Sequence, residues 1–116
     1  LPLVASGSAL SSALRVMGAT PGKPGAALVV DADGLLVGIF TDGDLRRLLE
    51  ERGQLSREDP IDGYMTRGPT CVGPDVLVEE AERLLRERRV DQVPVVGDDG
   101  RPVGLLDVQD LLDTRL

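Results

Sequence analysis

Histidine is absent from this 116-residue chain, and aromatic residues and cysteine are almost absent: Phe40, Tyr64 and Cys71 are the only ones. Without imidazole there is no histidine base, no serine–histidine or cysteine–histidine pair and no histidine metal ligand. A single cysteine forms no internal disulfide, so the fold does not depend on oxidation, which agrees with a cytoplasmic location. We therefore expect no catalytic residue, no metal-binding residue and no required cofactor.

The charge and the apolar runs exclude further classes of partner. The chain has 13 basic and 20 acidic residues and a net charge of −7, which repels phosphate backbones and anionic lipid. A small anionic ligand stays compatible, because local geometry outweighs the global field. The longest apolar runs, such as 26–30, are far shorter than the roughly 20 residues that span a bilayer. We expect no nucleic-acid and no membrane partner. Because the chain starts at Leu1 inside a strand-like segment, we interpret it as a piece of a longer protein.

An internal repeat organises the sequence. Residues 28–48 align without a gap on residues 94–114, at a shift of 66, so that the Asp-Gly and Val-Gly pairs coincide. The earlier parts match at a shift of 68, with Val4 on Val72. The first copy therefore carries two extra residues before Leu28, in a loop rich in glycine and proline.

Each copy has the pattern of strand, amphipathic helix, two strands and a second helix. The paired strands are 28–30 with 36–40, and 93–96 with 103–106. Asp33-Gly34 and Asp99-Gly100 join them, which predicts hairpins whose two central turn residues both have positive φ. The first strands are expected near Leu3-Val4 and near Cys71-Val72, with Cys71 in the core, and the second helices near Asp42 and Val108.

This order predicts an α/β (α+β) fold of two β-α-β-β-α units, at 1–55 and 56–116. A linker at 56–69 belongs to the second unit and includes a short helical turn at 60–65. A unit of this size buries too little apolar surface to be secure alone, so the two should pack sheet against sheet.

The corner from Gly38 to Asp44 is the candidate binding site. A glycine lets a ligand approach the backbone, and a helix N-terminus offers free N–H groups to a phosphate. Thr41 is expected to hydrogen-bond that phosphate and Asp44 a sugar diol. The site residues are Gly38, Ile39, Thr41, Asp42, Asp44 and Arg47, with Arg46 as an alternative cation.

A purely structural role is the alternative for the same corner. Thr41 and Asp44 have the spacing of a capping box, which stabilises a helix by about 1 kcal/mol without any ligand. In the second copy Asp107 replaces Thr41; it still caps a helix but repels a phosphate. We therefore expect one binding site and not two.

The motifs PIDGYMTRGPTCVGPD and VEEAERLLRERRVDQVPVV, with the two Gly-x-x-[Thr or Asp]-x-x-Asp closures, resemble the CBS-domain family. The resemblance implies a pseudo-two-fold Bateman module that senses ligands. In that family the residues matching Thr41 and Asp44 commonly bind the phosphate and ribose of adenine nucleotides, which implies AMP or ATP as effector.

The string GIFTDGDLRRLLE is similar to the C-terminal CBS pair of arabinose-5-phosphate isomerases. This implies a parent protein with an N-terminal sugar isomerase domain, a CMP-sugar as another possible effector, and a homodimer or higher oligomer formed through the CBS helices. Two alternatives stay open: an assembly module that acts through helix faces such as 45–49 and 111–112, and a stand-alone adenine-nucleotide sensor.

Two acidic features favour structural interpretations. Asp31, Asp33, Asp98 and Asp99 lie in hairpin turns without the spacing of metal ligands, which indicates turn chemistry. The charged run 79–89 has opposite charges at helical spacing, typical of a solvated helix face.

Overall fold

The elements follow the repeat along the chain. The computed structural model describes residues 1–22 and 24–109. In order, the elements are β1 (Leu3–Ala5), α1 (Leu10–Ala19), β2 (Ala26–Val30), β3 (Leu36–Thr41), α2 (Asp42–Arg52), a 3₁₀ turn (Ile61–Gly63), β4 (Thr66–Arg67), α3 (Val78–Arg88), β5 (Gln92–Val96) and β6 (Pro102–Asp107). The second repeat's last helix begins at Val108, and its predicted continuation from Asp110, including 111–112, lies outside the described residues.

Each repeat forms its own sheet. The first has the strand order β1-β2-β3-β4, in which β1 is parallel to β2 and the other neighbours are antiparallel. The second pairs β5 with β6, and a parallel bridge joins Val72 to Val95. That bridge is the repeat's equivalent of the pairing of Val4 with Val29 in the first sheet. The predicted fold class is confirmed.

The prediction of a strand at Cys71-Val72 was wrong in extent. Val72 uses both of its backbone groups, donating to Pro94 O (3.0 Å) and accepting from Val96 N (2.8 Å). Gly73 and Pro74 then end the pairing, since a proline has no N–H to donate. Cys71 is exposed rather than part of the core, because neighbouring residues of an extended segment point to opposite sides.

The hairpin turns differ in type from the prediction. Gly34 (φ 84°) and Gly100 (φ 86°) have positive φ, but the aspartates before them do not. Gly34 N donates to Asp31 O, and the matching bond links Gly100 N to Gly97 O, both at 3.0 Å. The register shifts by one residue after Val29 and after Val95. Each turn is a three-residue loop that ends in a left-handed glycine, one residue longer than the predicted two-residue turn.

The strand β2 is buried on both faces and joins two clusters of the core. Ala27 and Val29 face the cluster of the first repeat, which α1, Phe40 and the linker residues Ile61 and Met65 complete. The alternate residues Ala26 and Leu28 face a second cluster. It contains Ile39 and Leu36 of β3, and also Leu105 of the other repeat. A third cluster, of Ala81, Leu85 and Val93, lies within the second repeat. The sheets therefore pack on each other, as predicted.

Reciprocal contacts relate the repeats by an approximate two-fold axis. Gly34 lies against Arg101, and the equivalent Gly100 lies against Leu35, the counterpart of Arg101. Leu36 N also donates to Gly100 O (3.0 Å) across the interface of the repeats. Its counterpart cannot form because Pro102 lacks an N–H. The Arg101 guanidinium donates instead to Asp33 O (2.9 Å), so both hairpin turns stay tied to each other.

None of the helices in the described part of the chain is long and apolar enough to cross a membrane.

Candidate functional site

A cleft of about 610 Å³ opens where α2 begins. Both repeats and the linker contribute to its walls. The lining residues are Gly25, Ile39, Thr41, Asp42, Gly43, Asp44, Arg46, Arg47, Thr66, Pro69, Thr70, Arg89, Val90, Asp91, Gln92 and Pro94.

The start of α2 is a capping box, as its spacing predicts. Thr41 Oγ1 accepts from Asp44 N (3.1 Å), and Asp44 Oδ2 accepts from Thr41 N (3.0 Å). The other oxygen of Asp44, Oδ1, pairs with the Arg47 guanidinium. The Asp44 side chain is 13% exposed and that of Arg47 is 62% exposed. Asp44 is therefore held in place, whereas the Arg47 side chain is mostly exposed at the edge of the cleft.

Five of the six residues predicted for the site line this cleft: Ile39, Thr41, Asp42, Asp44 and Arg47. The reason given for Gly38 requires correction. A Cβ at Gly38 would lie 2.4 Å from the Met65 sulfur, so the missing side chain makes room for the core and not for a ligand. Gly38 also pairs with Val29 and Arg67 inside the sheet.

The opposite wall comes from residues that sequence reasoning missed. Arg89, Asp91 and Gln92 follow α3 in the second repeat and face the start of α2. Gln92 Nε2 bridges the repeats by donating to Pro24 O (3.3 Å) and to Asp107 Oδ2 (3.2 Å). The repeat contained a signal for these residues, because a two-fold arrangement places the segment before β5 next to the C-terminal end of β3.

The cleft is less acidic than the whole chain. It contains Arg46, Arg47 and Arg89 against Asp42, Asp44 and Asp91, whereas the chain has a net charge of −7. The positive end of the helix dipole at the start of α2 adds positive potential. The arrangement provides hydrogen-bond donors, cations and a fixed carboxylate within one opening, which is the chemistry that a phosphorylated sugar or nucleotide requires.

At the matching corner of the second repeat, the described contact is a helix cap. Asp107 Oδ1 accepts from Gln109 N (2.8 Å) at the start of the last helix. Asp110, the counterpart of Asp44, lies outside the described residues.

The acidic turns are explained by their own hydrogen bonds. Asp31 Oδ1 accepts from Asp33 N and Leu35 N, both at 2.9 Å, and Asp99 Oδ1 accepts from Arg101 N at 3.1 Å. Across residues 1–22 and 24–109, acidic side chains and Cys71 form no cluster of three suited to a metal ion. On the charged face of α3, Arg83 pairs with Glu87 at 3.9 Å.

Comparison with known proteins places this chain in a family. The family model described as "CBS domain" matches residues 2–51 and 61–116. Arabinose 5-phosphate isomerase KdsD of Pseudomonas aeruginosa is 42% identical over 112 residues, covering 97% of this chain and 33% of that protein. The chain thus spans about a third of the length of this relative.

Solved structures have the same fold. A CBS-domain containing protein from Agrobacterium tumefaciens has a TM-score of 0.85 and 26% identity, covering 98% of this chain and 83% of that one. The structure of CBSX2 in complex with AMP has a TM-score of 0.77 and 25% identity, covering 97% of this chain and 85% of that one.

Proposed function

Because this chain belongs to the CBS-domain family as a tandem pair, we propose that it is a regulatory module that senses a nucleotide or nucleotide-sugar in the cleft at the start of α2. One observation carries the proposal: both repeats line the same opening around a capped helix N-terminus and three arginines. A ligand held there contacts both repeats at once. Its binding energy therefore acts on their relative arrangement, which is how a ligand shifts a conformational equilibrium.

The ligand class follows from the chemistry of the walls and from the solved relative that holds AMP. We assign the phosphate to the arginines and Thr41, and the ribose hydroxyls to Asp44. Asp44 is held by Thr41 N through one oxygen, so Oδ1, which now pairs with Arg47, is the oxygen for a sugar hydroxyl. No catalytic role is assigned to this chain.

The parent protein is proposed to be an arabinose 5-phosphate isomerase, with an N-terminal isomerase domain in the cytoplasm. The support is the 42% identity to KdsD, which extends over 97% of this chain. In that setting a CMP-sugar is the alternative effector to AMP or ATP. Either ligand regulates the enzyme only if it binds two conformations of the parent with different affinity.

Assembly is the second candidate function. The helix α2 has no buried residue, and Leu49 on its surface is 43% exposed. Leu45 and Leu48 on the same helix are only partly buried, so α2 offers three leucines for contact with another copy of the chain, and a homodimer through the CBS helices needs no ligand.

A thermal-shift screen against AMP, ATP, S-adenosylmethionine and a CMP-sugar tests the sensing function. A ligand at a hundred times its Kd stabilises the chain by about 2.7 kcal/mol, which raises the Tm by several degrees. Arg47→Ala should reduce this shift. Arg83→Ala is the matched control, since Arg83 is a similarly exposed helix arginine with its own ion pair outside the cleft.

Absence of any shift, together with a dimer that persists on light scattering, would replace the sensing function by the assembly function. Equal loss of the shift in Arg47→Ala and Arg83→Ala would place the ligand elsewhere.

A further inference from the structure

The helix α3 ends at a left-handed residue that is not glycine. Among the described non-glycine residues only Arg89 has a positive φ, of 54°. Val90 N donates to Leu85 O (3.1 Å) and Arg89 N to Arg86 O (3.4 Å), which together form a Schellman motif with Arg89 at its left-handed position. Glycine is the residue that this position favours, because a Cβ is strained there.

A second helix of the chain shows the usual solution. The helix α2 ends at Gly53, whose φ is 78° and whose N–H donates to Leu49 O (2.8 Å). Both residues have a positive φ, but Gly53 (ψ −36°) lies outside the left-handed helical region and Arg89 (ψ 44°) lies inside it. Glycine is the least strained residue at either position, and this local preference explains Gly53 but not Arg89.

The position of Arg89 supplies the missing reason. Arg89 lines the cleft from the second repeat, whereas Arg46 and Arg47 line it from the first. Arg47 is neutralised by its pairing with Asp44. Within residues 1–22 and 24–109, neither Arg46 nor Arg89 forms an ion pair.

The charge balance depends on Arg89. Besides the Asp44–Arg47 pair, the cleft carries the carboxylates of Asp42 and Asp91 and the guanidinium groups of Arg46 and Arg89. Without Arg89 the local charge is negative and repels an anion. With it, two arginines from opposite walls face the opening, and guanidinium groups bind phosphate oxygens in bidentate geometry.

We propose that Arg89 is the anion-binding residue of the second repeat, and that the ligand is a phosphate ester whose phosphate lies between the two repeats. This inference rests on the proposed function of the cleft. It adds a specificity: the cleft selects phosphorylated over unphosphorylated nucleosides, and Arg89 is responsible for much of that selection.

Titration calorimetry with AMP and with adenosine tests the assignment. Arg89→Gly should weaken AMP binding about tenfold and change adenosine binding less than twofold. The Tm of the ligand-free variant should not fall, because glycine relieves the left-handed strain. Arg89→Lys should keep most of the AMP affinity. Arg83→Ala, which removes the same charge outside the cleft, should bind AMP like the wild type.

The outcomes separate the two proposals. AMP affinity in Arg89→Gly equal to that of Arg83→Ala would overturn the role of Arg89 and leave the cleft's function intact. Equal weakening of AMP and adenosine would also overturn it, because Arg89 would then act on the shape of the cleft and not on the phosphate. If the wild type binds neither compound, the proposed nucleotide function fails and this inference fails with it.

Discussion

At the scale of single residues, Gly38 shows how one residue type permits two explanations. Beside a helix N-terminus, its missing side chain looked like an opening for a ligand, but the Met65 side chain fills that space. Met65 belongs to the linker, 27 residues further along the chain, so its contact with Gly38 has no local signature. Among residues 1–22 and 24–109, the repeat-related Gly104 has no such neighbour: a Cβ there would lie 3.4 Å from Val95 Cβ, an ordinary contact.

Gly38→Ala should therefore destabilise the protein by about 1–3 kcal/mol, because the added methyl group displaces Met65 from the core. Gly104→Ala is the matched control and should cost well under about 1 kcal/mol. Urea unfolding of both variants measures the difference. Equal losses would show that the cost arises from adding a methyl group to either strand and not from the contact with Met65.

Some residues of the cleft have a local sequence pattern that predicts them, and others do not. Thr41 and Asp44 could be predicted because a capping box depends on residues three apart on one helix. Arg89 and Gln92 reach the same cleft from the other repeat, and no local pattern reports that distance. The order of the repeats was readable from sequence, whereas the contacts between them depended on the packing of two sheets.

At the scale of elements, the sequence located both hairpins but not their turn type. The Asp-Gly pairs marked the correct places. The strand register shifts by one residue after Val29 and after Val95. In the first turn Asp31 accepts two backbone N–H groups, and Gly34 is the turn residue with positive φ. The choice between a two-residue turn and this longer turn depends on the register of the strands. The alternation of apolar residues does not fix that register to within one residue.

One carboxylate links the linker to the first repeat. Asp62, in the 3₁₀ turn of the linker, accepts from the Ser6 hydroxyl and from Gly7 N (2.7 Å), just after β1. These hydrogen bonds, that of Ser6 above all, hold the pKa of Asp62 below its ordinary value. A carboxyl whose pKa is lowered by folding stabilises the folded state above its unfolded pKa of about 3.9, and this contribution is lost as the pH falls through the folded pKa.

Asp62→Asn should lower the free energy of unfolding at pH 7 by about 1 kcal/mol, since two partly exposed bonds to a charged oxygen are weakened. Its stability should also fall less steeply than that of the wild type between about pH 5 and pH 2. Chemical denaturation across this range measures both effects, with Asp98→Asn in an exposed turn as the control for the change in charge. An unchanged acid limb would contradict the role given to Asp62.

At the scale of the whole molecule, the interface of the repeats makes them one folding unit. Leu28 is fully buried in the cluster that also contains Leu105 of the other repeat. The two hairpin turns are tied by the bonds of Leu36 with Gly100 and of Arg101 with Asp33. Without the second repeat, the face of β2 that carries Leu28 would lose its contact with Leu105.

Leu28→Ala should therefore cost about 2–5 kcal/mol and move one cooperative transition as a whole. Leu77→Ala, at a side chain that is 60% exposed, should stay within about 0.5 kcal/mol of the wild type. Scanning calorimetry measures both. Two separate transitions, of which Leu28→Ala moves only one, would contradict the single unit.

The proposed function depends above all on two similar repeats forming a single binding cleft. Titration calorimetry of AMP into the wild type, Asp44→Asn and the repeat-related Asp110→Asn tests this most directly. The account predicts one site per chain, lost or strongly weakened in Asp44→Asn and retained in Asp110→Asn. Two equal sites, or equal loss in both variants, would contradict it.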